Sequence, residues 1–370
     1  MGLFTKIWMI LVIISSSITC ADARDEKFLF SDWMEVPFKV EEVSKGYAQT
    51  KHLDNRAPNS SIEADIIAEA FKIVQEEPVL ALLLIDENDK ILFEKYDGGA
   101  SPQSILRGYS MTKSGVSVAV GQALCSGILR SLDDKAGAYS KDLSNTAYGE
   151  ATIRQLLMMA SSGTRAADHG MPINGMTREL ITGGERTVRS SFREFGVSHQ
   201  NPSVQGTFSY KGLDTLGLSI AIADATNQRF QAYFSSSVWQ IIGAERNAMF
   251  LIDRNGDAAA NGGMGATARD WGRLAIFIRN KTKESSCLGE YLRRATSPQI
   301  SNSTKTNHFS SYGFQFWTGH KIVRANSAWF NGFAGQRVGI DLSGGKILVL
   351  LSSEDGAVRR VYALFDRWTR

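Results

Sequence analysis

The residues best placed to do chemistry are Ser110 and Lys113, in the run Gly108-Tyr109-Ser110-Met111-Thr112-Lys113. They stand three positions apart at the head of an apolar stretch with helical spacing, and one helical turn brings such positions to the same face. A serine hydroxyl is a weak nucleophile at neutral pH unless a base sits beside it. A lysine can be that base if burial or a nearby positive charge lowers its pKa. The leaving group also needs a proton carrier, and a tyrosine influenced by a lysine is a suitable type. Tyr210, in Gly206-Thr207-Phe208-Ser209-Tyr210-Lys211-Gly212, is the candidate. A nucleophile elbow of the α/β-hydrolase kind needs Gly-x-Ser-x-Gly. Here Thr112 stands where the second glycine should be, which disfavours that fold.

Context has to separate this pair from chance. Ser343-Gly344-Gly345-Lys346 has the same spacing, but it lies between the apolar runs Gln336–Asp341 and Ile347–Leu351 and reads as a hairpin turn. The stretch after Lys113 reads as a helix with an apolar face at Met111, Gly115, Ala119, Val120, Ala123 and Leu124, ended by Gly127. Ahead of it, Ile62–Glu76 has helical spacing, and Val79–Ile85 with Ile91–Tyr96 forms a hairpin around Asp86-Glu87-Asn88-Asp89. Further helices are expected over Ile153–Met159, Leu216–Ala223, Phe230–Ile242, Thr267–Ile278 and Ala357–Trp368. Residues 165–206 are irregular and Gly-rich. Trp329–Ile340 and Lys346–Ser352 read as paired strands. Strands near both ends with a helical middle predict one folded unit whose sheet draws on both ends of the chain.

Composition narrows the class. The chain has 370 residues, 43% hydrophobic and 21% charged, with a formal net charge of +3. No long basic run supports nucleic-acid binding. Residues 1–23 combine Lys6, an apolar run from Ile7 to Ile14 and the A-x-A site Ala21-Asp22-Ala23, the order of a secretory signal peptide. A periplasmic or secreted protein follows, with no membrane-spanning segment after cleavage. Cys20 follows a poor lipoprotein signal. Cys125 and Cys287 would remain; they could pair, but the apolar setting of Cys125 favours a buried free thiol. The five histidines are scattered without metal-ligand spacing, so no metal or other cofactor is expected. Residues 24–60 look like an N-terminal arm, and 61–370 form the main domain, with a helical subdomain over roughly 125–260.

The run Tyr109–Asp134 resembles the nucleophile helix of the penicillin-recognising serine hydrolases, in the branch related to class C β-lactamases. The similarity continues through Thr152–Gly163, Phe208-Ser209-Tyr210 with Asp214-Thr215, Gly243-Ala244-Glu245, Gly263–Asp270, Tyr312–Trp317 and Gly332–Gln336, in the family's order over roughly residues 60–370. The Gly-Ala-Glu and Gly-x-x-Gly-Gln elements look most like the 6-aminohexanoate-dimer hydrolase subgroup. The resemblance implies an α/β (α+β) fold of the β-lactamase/transpeptidase type, mainly an antiparallel sheet flanked by helices with an inserted helical subdomain. It implies Ser110 as the acylated nucleophile, with Lys113 and Tyr210 as its proton carriers. It also implies an oxyanion hole from the backbone N–H groups of Ser110 and Phe333, which acyl transfer needs.

Two departures redirect the expected substrate. The family's tyrosine motif often has asparagine two residues on; here that place is Gly212. The Lys-Thr-Gly or His-Thr-Gly triplet is replaced by Phe330-Asn331-Gly332, so the cation that holds a β-lactam carboxylate is missing. Asn331, Gly332 and Phe330 line the expected substrate site. Arg337 is either a replacement cation or a solvated strand residue. An amidase or esterase acting on a small-molecule or short peptide-like substrate is the first reading. The alternatives are a β-lactamase or D,D-peptidase, and a non-catalytic binding protein on the same fold.

Overall fold

A computed structural model describes residues 39–163, 187–198, 200–303 and 308–370. The expected signal peptide, Cys20, the start of the arm and most of the irregular stretch 165–206 lie outside the described residues. In chain order the strands are β1 (Lys39–Val43), β2 (Val79–Ile85), β3 (Ile91–Tyr96), β4 (Leu106–Arg107), β5 (Ala248–Ile252), β6 (Met264–Ala266), β7 (Ile300–Ser301), β8 (Phe309–Tyr312), β9 (Trp317–His320), β10 (Ser327–Asn331), β11 (Arg337–Asp341) and β12 (Ile347–Ser352). The α-helices are α1 (Ser61–Glu76), α2 (Thr112–Cys125), α3 (Ile153–Leu157), α4 (Val188–Ser198), α5 (Gly212–Thr226), α6 (Phe230–Phe234), α7 (Ala268–Thr282), α8 (Cys287–Ala295) and α9 (Val358–Trp368).

The main sheet is antiparallel, in the order β3-β2-β12-β11-β10-β9-β8-β7, so its centre joins the two ends of the chain. Its strands β2 and β12 are buried along their whole length because both faces of the sheet are covered there. Along β12, Ile347, Val349 and Leu351 enter one core while Leu348 and Leu350 enter the other. The period of two along a strand divides them in this way. The first core holds α2, α5, α7 and α8; the second holds α1 and α9. Both expected hairpins form. The second Ser-x-x-Lys is a turn whose Lys346 Nζ donates to Trp368 O at 2.5 Å, remote from Ser110 in role and setting. The described part of the arm is woven into the fold. β1 pairs with β5 in a second, four-stranded sheet, and Arg56 bridges Glu63 and Asp86.

Helix α2 runs through the middle and is buried on nearly every side, including Thr112, Lys113, Ser114 and Ser117. Its close approach to α8 uses Gly121, where an added Cβ would come within 2.6 Å of the Tyr291 ring. This approach corrects the expectation of a free thiol. Cys125 at the end of α2 is disulfide-bonded to Cys287 at the start of α8, with Cα atoms 5.8 Å apart. Helical periodicity placed Cys125 against apolar neighbours, but no local pattern reports a partner 162 residues away. The other difference is at Trp329–Ile340. It is two strands, because Ala334 (φ +53°) and Gly335 (φ +87°) reverse the chain between them.

Replacing both Cys125 and Cys287 by alanine, or reducing the disulfide, should cost about 2–4 kcal/mol of stability. Thermal unfolding followed by circular dichroism, with and without reductant, would show a midpoint lower by about 5 °C. An unchanged midpoint would mean that the bond is not formed or does not constrain the chain.

Candidate active site

Ser110 lies in a single 3-10 turn, Tyr109–Met111, that leads directly into α2. The turn is anchored from both sides. Gly108 N donates to Met264 O at 2.9 Å, and Met264 N donates to Thr112 Oγ1 at 3.1 Å. Thr112 Oγ1 in turn donates to Tyr109 O at 2.6 Å. Gly108 has no room for a side chain, since a Cβ there would overlap the Trp271 indole. The spacing seen in the sequence then has its effect: Lys113 Nζ donates to Ser110 Oγ at 2.9 Å. Lys113 is 3% exposed, so its amine is held inside the protein next to the hydroxyl.

Tyr210 joins the pair from the N-terminal side of α5. Lys113 Nζ stands 5.1 Å from the centre of its ring. The ring stacks on Trp317 at 5.2 Å and meets Tyr312 edge-on at 6.2 Å. Below it, Lys211 is fully buried and donates to Ser161 O at 3.3 Å, while Ser161 Oγ donates to Asp214 Oδ1 at 2.6 Å. This buried polar network fixes the loop that carries Tyr210. Burial pushes the Tyr312 hydroxyl well above its ordinary pKa, and the neighbouring Tyr210 adds to the effect, so Tyr312 stays a neutral phenol.

The remaining expected residues divide. Gly332 is at the site, because a Cβ there would overlap Gly108 O; the end of β10 therefore touches the serine turn backbone to backbone. Among the described residues, the amides of Ser110 and Phe333 donate to no turn or loop carbonyl. Asn331 is partly buried, and its Oδ1 is a buried atom without a hydrogen bond. Phe330 is different. It is fully buried and packs edge-on against Phe316, so it belongs to the core rather than to an accessible substrate surface. Arg337 is neither a solvated residue nor an uncommitted cation. Its Nη1 donates to Gly332 O (2.7 Å) and Gln336 O (2.8 Å), and its Nε donates to Tyr362 Oη at 2.8 Å. Gln336 completes the brace, donating to Ala334 O at 2.9 Å and Ser352 O at 2.6 Å. Together they hold the turn that presents Phe333 N.

Asn261 is the residue that sequence reasoning missed. Its carbonyl accepts a hydrogen bond from Lys113 Nζ. A Cβ on Gly212 would come within 2.7 Å of its Nδ2, so its carboxamide fills the space beside Gly212 where the family's usual asparagine would stand. Its Oδ1 is buried without a hydrogen bond. The glycine at 212 was the available signal, since a lost side chain invites a replacement from elsewhere. Nothing in the sequence says that the replacement comes from residue 261.

Under Arg337, the Tyr362 ring packs 4.3 Å from His320. His320 Nδ1 accepts from Ile322 N and Val323 N, both at 3.0 Å. Burial, and then the charges of His308 and Arg337, push His320 from 6.5 down to about 3.

The beta-lactamase family model matches residues 68–367. A 6-aminohexanoate-dimer hydrolase of Paenarthrobacter ureafaciens is 24% identical over 292 residues, 75% of this chain and 74% of its own. Among solved structures, a Bacillus anthracis protein described as a 6-aminohexanoate-dimer hydrolase superposes with a TM-score of 0.74 at 20% identity, covering 91% of this chain and 92% of its own. The D-amino acid amidase of Ochrobactrum anthropi SV3 superposes with a TM-score of 0.67 at 14% identity, covering 83% and 98%.

Two outcomes are expected. Gly332→Ala must push the serine turn and β10 apart, so kcat should fall about 100-fold, the scale of losing one oxyanion donor, while the unfolding midpoint shows the chain still folded. A kcat within twofold of wild type would separate this contact from catalysis. For His320, the unfolded chain binds a proton between pH 6.5 and about 3 that the folded chain does not, so stability falls as pH falls through that window. Denaturant unfolding from pH 7 to pH 4 should show a shallower loss for His320→Asn than for wild type; equal slopes would contradict the neutral buried ring.

Proposed function

The chain belongs to the beta-lactamase family and is a serine hydrolase; we propose that it is exported and cleaves an amide or ester through an acyl-enzyme on Ser110. The observation that carries this reading is the buried Lys113 Nζ at 2.9 Å from Ser110 Oγ, with the centre of the Tyr210 ring 5.1 Å from the same amine. In the first step Ser110 Oγ attacks the carbonyl carbon, and its proton passes to Lys113 or Tyr210. The oxyanion forms against the amides of Ser110 and Phe333. The bond to the leaving nitrogen or oxygen breaks as that atom takes a proton from the Tyr210 side. Water, deprotonated by the same groups, then attacks the acyl carbon, releasing a carboxylic acid and restoring the Ser110 hydroxyl.

Amides are favoured as the natural class. The buried oxygens Asn261 Oδ1 and Asn331 Oδ1 lack hydrogen bonds, and an amide substrate brings N–H donors that an ester does not. The name of the Paenarthrobacter relative, an amide hydrolase by its substrate, agrees with this preference. The β-lactamase or D,D-peptidase reading is disfavoured by Phe330, which is buried in the place of the family's cation, and by Arg337, which is committed to the turn. Export rests on the N-terminal sequence alone.

The test is turnover of a panel of activated esters, anilides and a chromogenic cephalosporin by the mature protein. Esters and anilides should be hydrolysed and the cephalosporin barely touched. Ser110→Ala should lose about a thousandfold or more in kcat, and Lys113→Ala and Tyr210→Phe at least about a hundredfold each. Wild-type rates in any one would remove that residue from the mechanism, and efficient cephalosporin turnover would favour the β-lactamase reading.

A further inference from the structure

Tyr109, the residue immediately before the nucleophile, has a left-handed backbone with φ +46°. Glycine adopts that region freely and a bulky residue does so at a cost. The turn does not need a side chain there. Its bonds are Met111 N to Gly108 O (3.0 Å) and Thr112 Oγ1 to Tyr109 O (2.6 Å), which glycine at 109 would make equally well. What tyrosine adds is its ring and a hydroxyl that accepts from Arg107 Nη1 at 3.3 Å. That ring meets Phe333 edge-on, with centroids 5.6 Å apart and planes at 70°. Phe333 is 56% exposed, unusual for a side chain of its size, and Tyr109 is only partly buried. The two rings thus bridge the two turns whose amides flank the reacting carbonyl. Backbone strain kept next to a nucleophile, together with apolar surface kept open, points to a role in function.

We infer that Tyr109 and Phe333 form an aromatic wall that selects the acyl part of the substrate, favouring an extended apolar chain or an aryl group. This rests on the acyl-enzyme reading above. A carbonyl placed between the Ser110 and Phe333 amides has two substituents. The leaving group must reach the Tyr210 side to be protonated, which leaves the acyl group beside the rings. Of the described cations around the rings, Arg337 is held by Gly332 O and Gln336 O, and Arg107 Nη1 donates to Tyr109 Oη at 3.3 Å, while the Phe330 position carries no charge.

The experiment is kcat/KM for p-nitrophenyl acetate, butyrate and hexanoate, which share one leaving group and differ only in the acyl chain. The hexanoate-to-acetate ratio should be about tenfold or more in wild type, the scale of a few methylenes in an apolar pocket. It should fall to near one in Tyr109→Gly and in Phe333→Ala, and be kept in Tyr109→Phe, which retains the ring. The unfolding midpoint of Tyr109→Gly should be equal to or above that of wild type, because the strain is relieved. A wild-type ratio near one, or a ratio kept in both Tyr109→Gly and Phe333→Ala, overturns the inference. If Tyr109→Gly does not fold, the Phe333→Ala and Tyr109→Phe ratios decide. Hydrolysis that survives Ser110→Ala would instead bring down the acyl-enzyme reading, and this inference with it.

Discussion

Everything at the candidate site depends on one close approach, the backbone of Gly332 against the backbone of Gly108. No side chain fits between them, and Gly108 itself is closed from behind by Trp271. This contact brings the serine turn against the turn that follows Gly332, the neighbourhood that an oxyanion site built from the Ser110 and Phe333 amides would need. The sheet exists in a form that makes it possible. Gly332 directly follows β10, and β11 and β12 link β10 to β2, so strands from the two ends of the chain are joined beside the serine turn. Arg337 and Gln336 then keep the chain reversal after Gly332 from relaxing.

The second constraint is burial of the amine. A lysine inside a helix surrounded by apolar residues is costly unless its hydrogens are satisfied. Lys113 is satisfied by Ser110 Oγ and by the carbonyl of Asn261, and it faces the Tyr210 ring. The same contacts that make its burial tolerable aim it at the Ser110 hydroxyl. Stability and proposed reactivity therefore draw on one set of hydrogen bonds. A change that loosens Asn261 or the Tyr210 loop should be felt in both.

Much of this was legible in the sequence, for reasons of range. The Ser110–Lys113 contact is local, fixed by one helical turn, and the hairpins at residues 86–90 and 342–346 are local too. A sheet built from both ends of the chain followed from apolar runs there, and its antiparallel order from the family resemblance. What could not be read depends on contacts far apart in sequence. The Cys125–Cys287 bond, the stacking of Tyr210 on Trp317, and the carbonyl of Asn261 on Lys113 each join segments with no common pattern. The break at Gly332–Gln336 was hidden because its flanks are both strand-like, and only the left-handed Ala334 and Gly335 reveal it. Phe330 was placed near the site by alignment with a triplet, and Arg337 as a cation further along what read as the same strand. Burial of the first and the hydrogen bonds of the second give them structural work instead.

The most direct measurement of the central claim is covalent labelling with a fluorophosphonate, followed by peptide mapping of the intact chain's single adduct. The account requires one label per chain, on the peptide that carries Ser110, at a rate that collapses in Lys113→Ala. No adduct, or an adduct on another residue such as Ser343, would contradict it.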